Sequence, residues 1–220
     1  GYDSAARWMH SAWVTAKGEK MSKSLGNGLS VPAVLAENSA WVVRYALGSV
    51  QYRSMLEWSD QTLTEAQSAY DRVSNFIERA GAAVGGQPSR EEIVSVSADE
   101  LPTDFVAAMN DDINVSGASA AIFTAIRSGN TLLSKLADRV DSDVAKDEVR
   151  AVLVNVRAML DTLGLDPLAE PWVSEGAAGA AGAGADSAEH TALDRLVSEQ
   201  LEERAEAPQG QGFRPRRRHS

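Results

Sequence analysis

Residues 143–164 read DVAKDEVRAVLVNVRAMLDTLG. Val149, Val152, Leu153, Val156, Met159, Leu160 and Leu163 recur at steps of three and four, the period that returns side chains to one face of an α-helix. Asp143 stands where an N-cap belongs, and Gly164 where a helix stops. Such a stripe needs an apolar partner, and the chain supplies two upstream. Ser59 is placed to cap a long helix, with Asp60 and Glu65 near its positive end, whose stripe is Leu63, Ala66, Ala69, Tyr70, Val73, Phe76 and Ile77. It should stop between Ala80 and Gly86. A polar stretch holding Pro88 and Pro102 reads as a loop. Phe105 to Met109 then opens a third helical unit, which continues from Ser116 to Leu136 through Ala120, Ile122, Phe123, Ile126 and Leu133. The expected fold is mainly α, an antiparallel helical bundle with its core inside.

Composition agrees. The 220 residues are 44% hydrophobic but only 6% aromatic, which favours helices over sandwiches or barrels. Absence of Cys excludes disulfides, thiolate zinc sites and cysteine nucleophiles. No apolar run is Leu- and Ile-rich enough for a membrane span, and no export signal is recognisable, so a cytoplasmic protein without membrane contact is expected. The net charge of −10 is uneven: residues 1–60 carry +1, residues 61–173 carry −9, residues 174–207 carry −6 and the last thirteen carry +4. An acidic body repels phosphates, so a polyanion should be met mainly by the first sixty residues or the last few.

The first thirty residues do not have a helical pattern. Trp13-Val14-Thr15 reads as a strand, Lys17-Gly18-Glu19 as a turn, and Lys20 to Asn27 as a loop. Residues 1–30 thus read as a short strand and a loop before the helices. Residues 31–60 form a junction, with Ser30 capping a short helix that has Pro32 in its first turn, and a second helix from Ser39 to Gly48. Residues 61–173 form the bundle. Residues 174–188 are a Gly/Ala linker, 189–207 a charged helix with Leu193, Leu196, Val197 and Leu201 on one face, and 208–220 a disordered basic tail.

The chemically richest stretch is Gly18-Glu19-Lys20-Met21-Ser22-Lys23-Ser24-Leu25-Gly26-Asn27. Two ammonium groups three positions apart, flanked by hydroxyls and a glycine, suit a triphosphate. Lysine is a compact charge on a flexible stem, and Ser22 and Ser24 can donate hydrogen bonds to phosphate oxygens. The string resembles the KMSKS signature of class I aminoacyl-tRNA synthetases. With Trp8-Met9-His10-Ser11 before it, it is similar to the cysteinyl-tRNA synthetase family in particular. Arg44-Tyr45, Gln51-Tyr52-Arg53-Ser54, Trp58-Ser59, the run from Phe105 to Asn114 and the run from Leu160 to Pro167 resemble further segments of that family. Gln51, Met55 and Asn110 depart from its usual His, Pro and Asp.

The resemblance implies a C-terminal portion of a ligase that consumes ATP, with Mg²⁺, to join L-cysteine to tRNA(Cys), with residues 1–30 the end of its α/β class I catalytic domain. Lys23 is then the first choice for the ATP contact and Lys20 the second; both would be catalytic, with Ser22 and Ser24 binding the same phosphates, and Met21 an anchor for the loop. In that family the HIGH motif and the zinc site for the substrate thiolate lie upstream. His10, His190 and His219 are too scattered to replace that zinc site, and His10 is expected to pack or cap. The chain alone is therefore expected to be inactive, and a monomer. The family pattern also breaks at Ala207-Pro208, where an out-of-frame tail is one reading and an RNA-binding tail another. Arg44 and Arg53 are the expected tRNA contacts, with an ion pair to a bundle acid the alternative for Arg44. Two other functions remain: a noncatalytic helical tRNA-binding module, and the related cysteine ligase of mycothiol biosynthesis.

Overall fold

A computed structural model describes residues 8–16, 18–20, 30–138 and 143–174. The linker after Ser174, the last helix and the basic tail fall outside the described residues, as does the loop from Met21 to Leu29. A small sheet opens the described chain, with strands β1 (Val14–Ala16) and β2 (Glu19–Lys20). Helices α1 (Val31–Glu37) and α2 (Ala40–Gly48) lead to β3 (Leu56–Glu57). Then come α3 (Asp60–Ala83), α4 (Arg90–Ser95), α5 (Thr103–Asn110), α6 (Val115–Asp138) and α7 (Asp143–Thr162). The fold is mainly helical, as the stripes require.

The three long helices α3, α6 and α7 pack on one another. Val73, Phe76 and Ile77 of α3, Ile122, Ile126 and Leu133 of α6, and Val149, Leu153, Val156 and Leu160 of α7 belong to one apolar cluster. Burying each Leu or Phe contributes about 1.5–3 kcal/mol, so these stripes dominate the bundle's stability. Close approach of α3 and α6 depends on Gly129, where an added Cβ would stand 2.5 Å from Phe76 Cε2. Helix α2 is part of the same core through Trp41, Val42 and Ala46.

Local signals fix most boundaries. Ser39, Ser59 and Ser89 each accept a hydrogen bond from a backbone N–H of the following first turn, satisfying donors the helix leaves open. Ser30 precedes α1 but makes no such bond, and Asp143 is the first helical residue of α7 rather than its cap.

The structure corrects two expectations. The stretch around Pro88 and Pro102 is not all loop: it contains α4, whose one fully buried side chain is Ile93. A helix of six residues carries too little periodicity to be read, and it is held by packing against α7. The third helical unit is broken into α5 and α6, because Asp112 and Ile113 take positive φ of 52° and 55°. Asn114 Oδ1 then accepts from Gly117 N at 2.9 Å and restarts the helix.

One charged pair lies inside this apolar frame. Arg157 of α7 and Asp166 are 3% and 0% exposed at their side chains. Arg157 Nη2 donates to Asp166 Oδ2 at 2.9 Å, Nε donates to Oδ1 at 3.2 Å, and Nη1 donates to the Pro88 carbonyl at 2.8 Å. Leu168 N also donates to Asp166 Oδ1, at 3.3 Å. Asp166→Ala should destabilise the chain by about 3–5 kcal/mol, because it leaves a buried guanidinium uncompensated. Replacing both partners with Met should cost far less. Urea unfolding of both variants checks this, and similar losses in the two would be the contrary result.

Candidate phosphate-loop site and its supports

The sheet has the order β2-β1-β3. β1 runs antiparallel to β2, with Thr15 opposite Lys20 and Ala16 opposite Glu19. It runs parallel to β3, with Val14 opposite Leu56 and Thr15 opposite Glu57. A parallel pair needs a crossover, and α1 and α2 supply it. Of the predicted phosphate ligands, Lys20 therefore sits at the outgoing end of a hairpin. Ser22, Lys23 and Ser24 lie outside the described residues, as does Met21.

The hairpin turns at Gly18, with φ of 75°, a conformation that costs any residue bearing a Cβ. Glu57 holds this turn from the neighbouring strand. Thr15 Oγ1 donates to Glu57 Oε2 at 2.6 Å, and Gly18 N donates to Oε1 at 3.2 Å and Oε2 at 3.4 Å. The sequence reading gave Glu57 no role. Its only signal was its position beside Trp58-Ser59, and the register that brings it to Thr15 is not a sequence property.

A second cluster joins two stretches quoted above. Tyr52 Oη donates to Asp112 Oδ1 at 2.8 Å, and Arg53 Nε lies 3.1 Å from Asp112 Oδ2. Gln51 Nε2 donates to the Asp112 carbonyl and to Oδ2, each at 3.4 Å. The hydrogen bond with Tyr52, then the Asp112 charge, push the Arg53 guanidinium pKa further up, so it stays protonated. Ala12 N donates to the Tyr52 carbonyl at 2.7 Å, tying the strand side to this cluster.

Among the described residues Arg44 pairs with no bundle acid. Its Nη2 donates to the Leu163 carbonyl at 3.2 Å, where the negative end of α7 welcomes a cation. Trp41 Nε1 donates to the Leu165 carbonyl at 2.9 Å and its ring stacks on Tyr45. His10 is exposed, neither packed nor capping a helix.

Arg53, Arg90, Arg150 and Arg157 each pair with a carboxylate. Among the described residues Arg72, Arg79 and Arg127 do not. They gather along α3 and α6 beside an open groove of about 370 Å³, lined by Arg72, Asn75, Phe123, Arg127 and Asn130, with Asp71 at its edge. The Arg72 guanidinium lies 4.9 Å from the Phe123 ring centroid, and Arg79 Nη1 donates to Asn130 Oδ1 at 3.2 Å. Among the described residues no group of three His, Asp or Glu could hold a metal ion. No described helix is long and apolar enough to cross a membrane.

Residues 1–68 match the class I (C) tRNA synthetase catalytic domain, and residues 104–167 match the DALR domain. A cysteine–tRNA ligase of Bifidobacterium longum is 79% identical over 213 residues, 97% of this chain. The chain belongs to the cysteine–tRNA ligase family. Family members of Beutenbergia cavernae and Streptomyces avermitilis, both named cysteine–tRNA ligase, are 49% and 40% identical over 81% and 94% of the chain. The chain spans 39%, 36% and 40% of the length of these three ligases.

Asp112 should matter to the fold in two ways, through its carboxylate and through its positive φ, which Asp and Asn tolerate better than Ala. Asp112→Ala should lower the melting temperature by about 2–4 °C, the shift expected for a loss near 1 kcal/mol in a chain this size. Asp112→Asn should lie closer to the parent. Thermal melts of the two variants decide it, and equal melting would show the cluster to be incidental.

Proposed function

We propose that these residues form part of a cysteine–tRNA ligase and supply its ATP-phosphate loop and a helical tRNA-side domain. The observation that carries this reading is the catalytic-domain match over residues 1–68 followed by the DALR match over 104–167, in a chain 79% identical to a ligase. In the reaction the cysteine carboxylate attacks the α-phosphate of ATP, pyrophosphate leaves, and the adenylate acylates the terminal ribose of tRNA. Lys23 and Lys20 stabilise charge developing on the departing pyrophosphate, assisted by hydrogen bonds from Ser22 and Ser24. Mg²⁺, when bound, supplies further neutralisation of the triphosphate. Because the chain spans about two fifths of its relatives' length, it contributes to this reaction rather than performing it alone. The relatives' shared name favours tRNA over the amino sugar of mycothiol synthesis as acceptor.

In a complete ligase carrying this segment, Lys23→Ala should slow cysteine-dependent ATP–pyrophosphate exchange on the order of a hundredfold while the protein stays folded. Unchanged exchange would overturn the assignment of the loop.

The tRNA side follows from which cations are free. Arg44 is held by the end of α7 and Arg53 by Asp112, whereas Arg72, Arg79 and Arg127 face solvent without a carboxylate partner among the described residues. On an acidic bundle these three guanidiniums form the surface best suited to RNA phosphates. The double variant Arg72→Ala/Arg127→Ala in the complete ligase should weaken tRNA binding and flatten its log–log salt dependence by roughly two units, about one per lost phosphate contact. ATP–pyrophosphate exchange should be unaffected. An unaltered salt slope would place the RNA elsewhere, with the basic tail or Arg53 next to be tested. If the 220-residue chain by itself bound tRNA as tightly as the complete ligase, the noncatalytic binding module would be the better account.

A further inference from the structure

We infer that Glu57 is a positioning residue for adenylation: its carboxylate sets the hairpin turn that leads into Lys20. The inference rests on the ligase reading and adds a residue that neither the signature string nor the family matches single out.

The geometry is local, and both carboxylate oxygens accept hydrogen bonds from the hairpin. Oε2 receives the Thr15 hydroxyl at 2.6 Å, and Oε1 receives the Gly18 amide at 3.2 Å. Thr15 lies on β1 and faces Lys20 across the antiparallel pair, while Gly18 is the positive-φ residue of the turn between them. Glu57 lies on β3, on the other side of β1. One side chain therefore bridges the parallel neighbour to both the strand and the turn of the hairpin.

Among the described residues the hairpin's own pairing is short. β2 is two residues long and β1 three, and the β1–β2 register is fixed by two residue pairs. A pair of strands this short is marginal without a third element. A turn amide satisfied by a fixed carboxylate gives the strand leaving it a single direction. A turn amide left to water does not. Since charge stabilisation by a cation depends on where it stands when the charge develops, a loosened hairpin costs transition-state stabilisation without removing any reacting group.

β3 is in turn held by the bundle. Trp58 N donates to the Thr15 carbonyl at 2.7 Å, and Ser59 caps α3 directly after it. Glu57 thus stands between a rigid helix start and the hairpin.

The test uses the complete ligase carrying this segment, with Glu57→Ala, Glu57→Gln and Thr15→Val beside Lys23→Ala as a reference. Glu57→Ala should lower kcat/KM for ATP in pyrophosphate exchange about five- to thirtyfold, the range expected for one or two lost hydrogen bonds. KM for cysteine and the melting temperature should stay at parental values, which a merely structural role would not allow. Glu57→Gln should recover most of the activity, because its carbonyl oxygen can still accept from Gly18 and its amide can donate to the Thr15 hydroxyl. Thr15→Val should show the smaller part of the loss. If Lys23→Ala slows exchange and Glu57→Ala does not, the inference fails and the ligase reading stands. If Glu57→Gln is as poor as Glu57→Ala, or if melting falls in step with activity, Glu57 is not acting through this geometry. If Lys23→Ala itself leaves exchange unchanged, the ligase reading falls and takes the inference with it.

Discussion

Arg157 and Asp166 impose the constraint on which the remaining architecture rests. A guanidinium and a carboxylate are buried together with their hydrogen bonds directed, and a third segment is recruited through the Pro88 carbonyl. Such a pair adds little net stability compared with apolar residues of the same size, because both charges lose water. It does restrict geometry. The last turns of α7, the approach to α4 and the loop at 165–168 must meet in one arrangement or leave a charge unpaired. The carbonyls of Leu163 and Leu165 are presented at that junction, and there they accept from Arg44 and Trp41 of α2.

The consequence runs back along the chain. α2 belongs to the crossover between β1 and β3, so where α2 docks bears on where the parallel pair forms. β3 enters α3 through the Ser59 cap, and Glu57 reaches from β3 to the hairpin turn. On the opposite side, Asp112 in the α5–α6 break holds Tyr52 and Arg53 just before β3. The polar contacts around the sheet are exposed and individually weak. What they share is a common support, a helical core whose side chains interlock at crystal-like density and therefore transmit position well.

Much of this was legible in the amino-acid sequence, and the failures have physical reasons. Long stripes such as Ala66 to Ile77 and Val149 to Leu160 declared their helices, because three or more turns of burial repeat the period many times. α4 offered one buried side chain, Ile93, and β3 two residues, too few for any period to register. Arg157 lies among the apolar residues of α7 and looks like a solvated charge until Asp166 is seen beside it. That Arg44 also reaches the carbonyl end of α7 could not be read, since a carbonyl partner leaves no mark in the sequence. The chemistry of Lys20, Ser22, Lys23 and Ser24 came from likeness to a signature string. The residues that steady the hairpin, Thr15, Gly18 and Glu57, come together only through strand register.

If the junction at the end of α7 is what positions α2, the two must open together. Native-state hydrogen exchange across a urea series measures this directly on the intact chain. The account predicts that the amides of Val42, Val43 and Ala46 in α2 exchange with the same opening free energy and the same urea slope as those of Val156 and Leu160 in α7. An α2 that opens at a much lower free energy, with a small slope of its own, would contradict it and leave the sheet without the support described here.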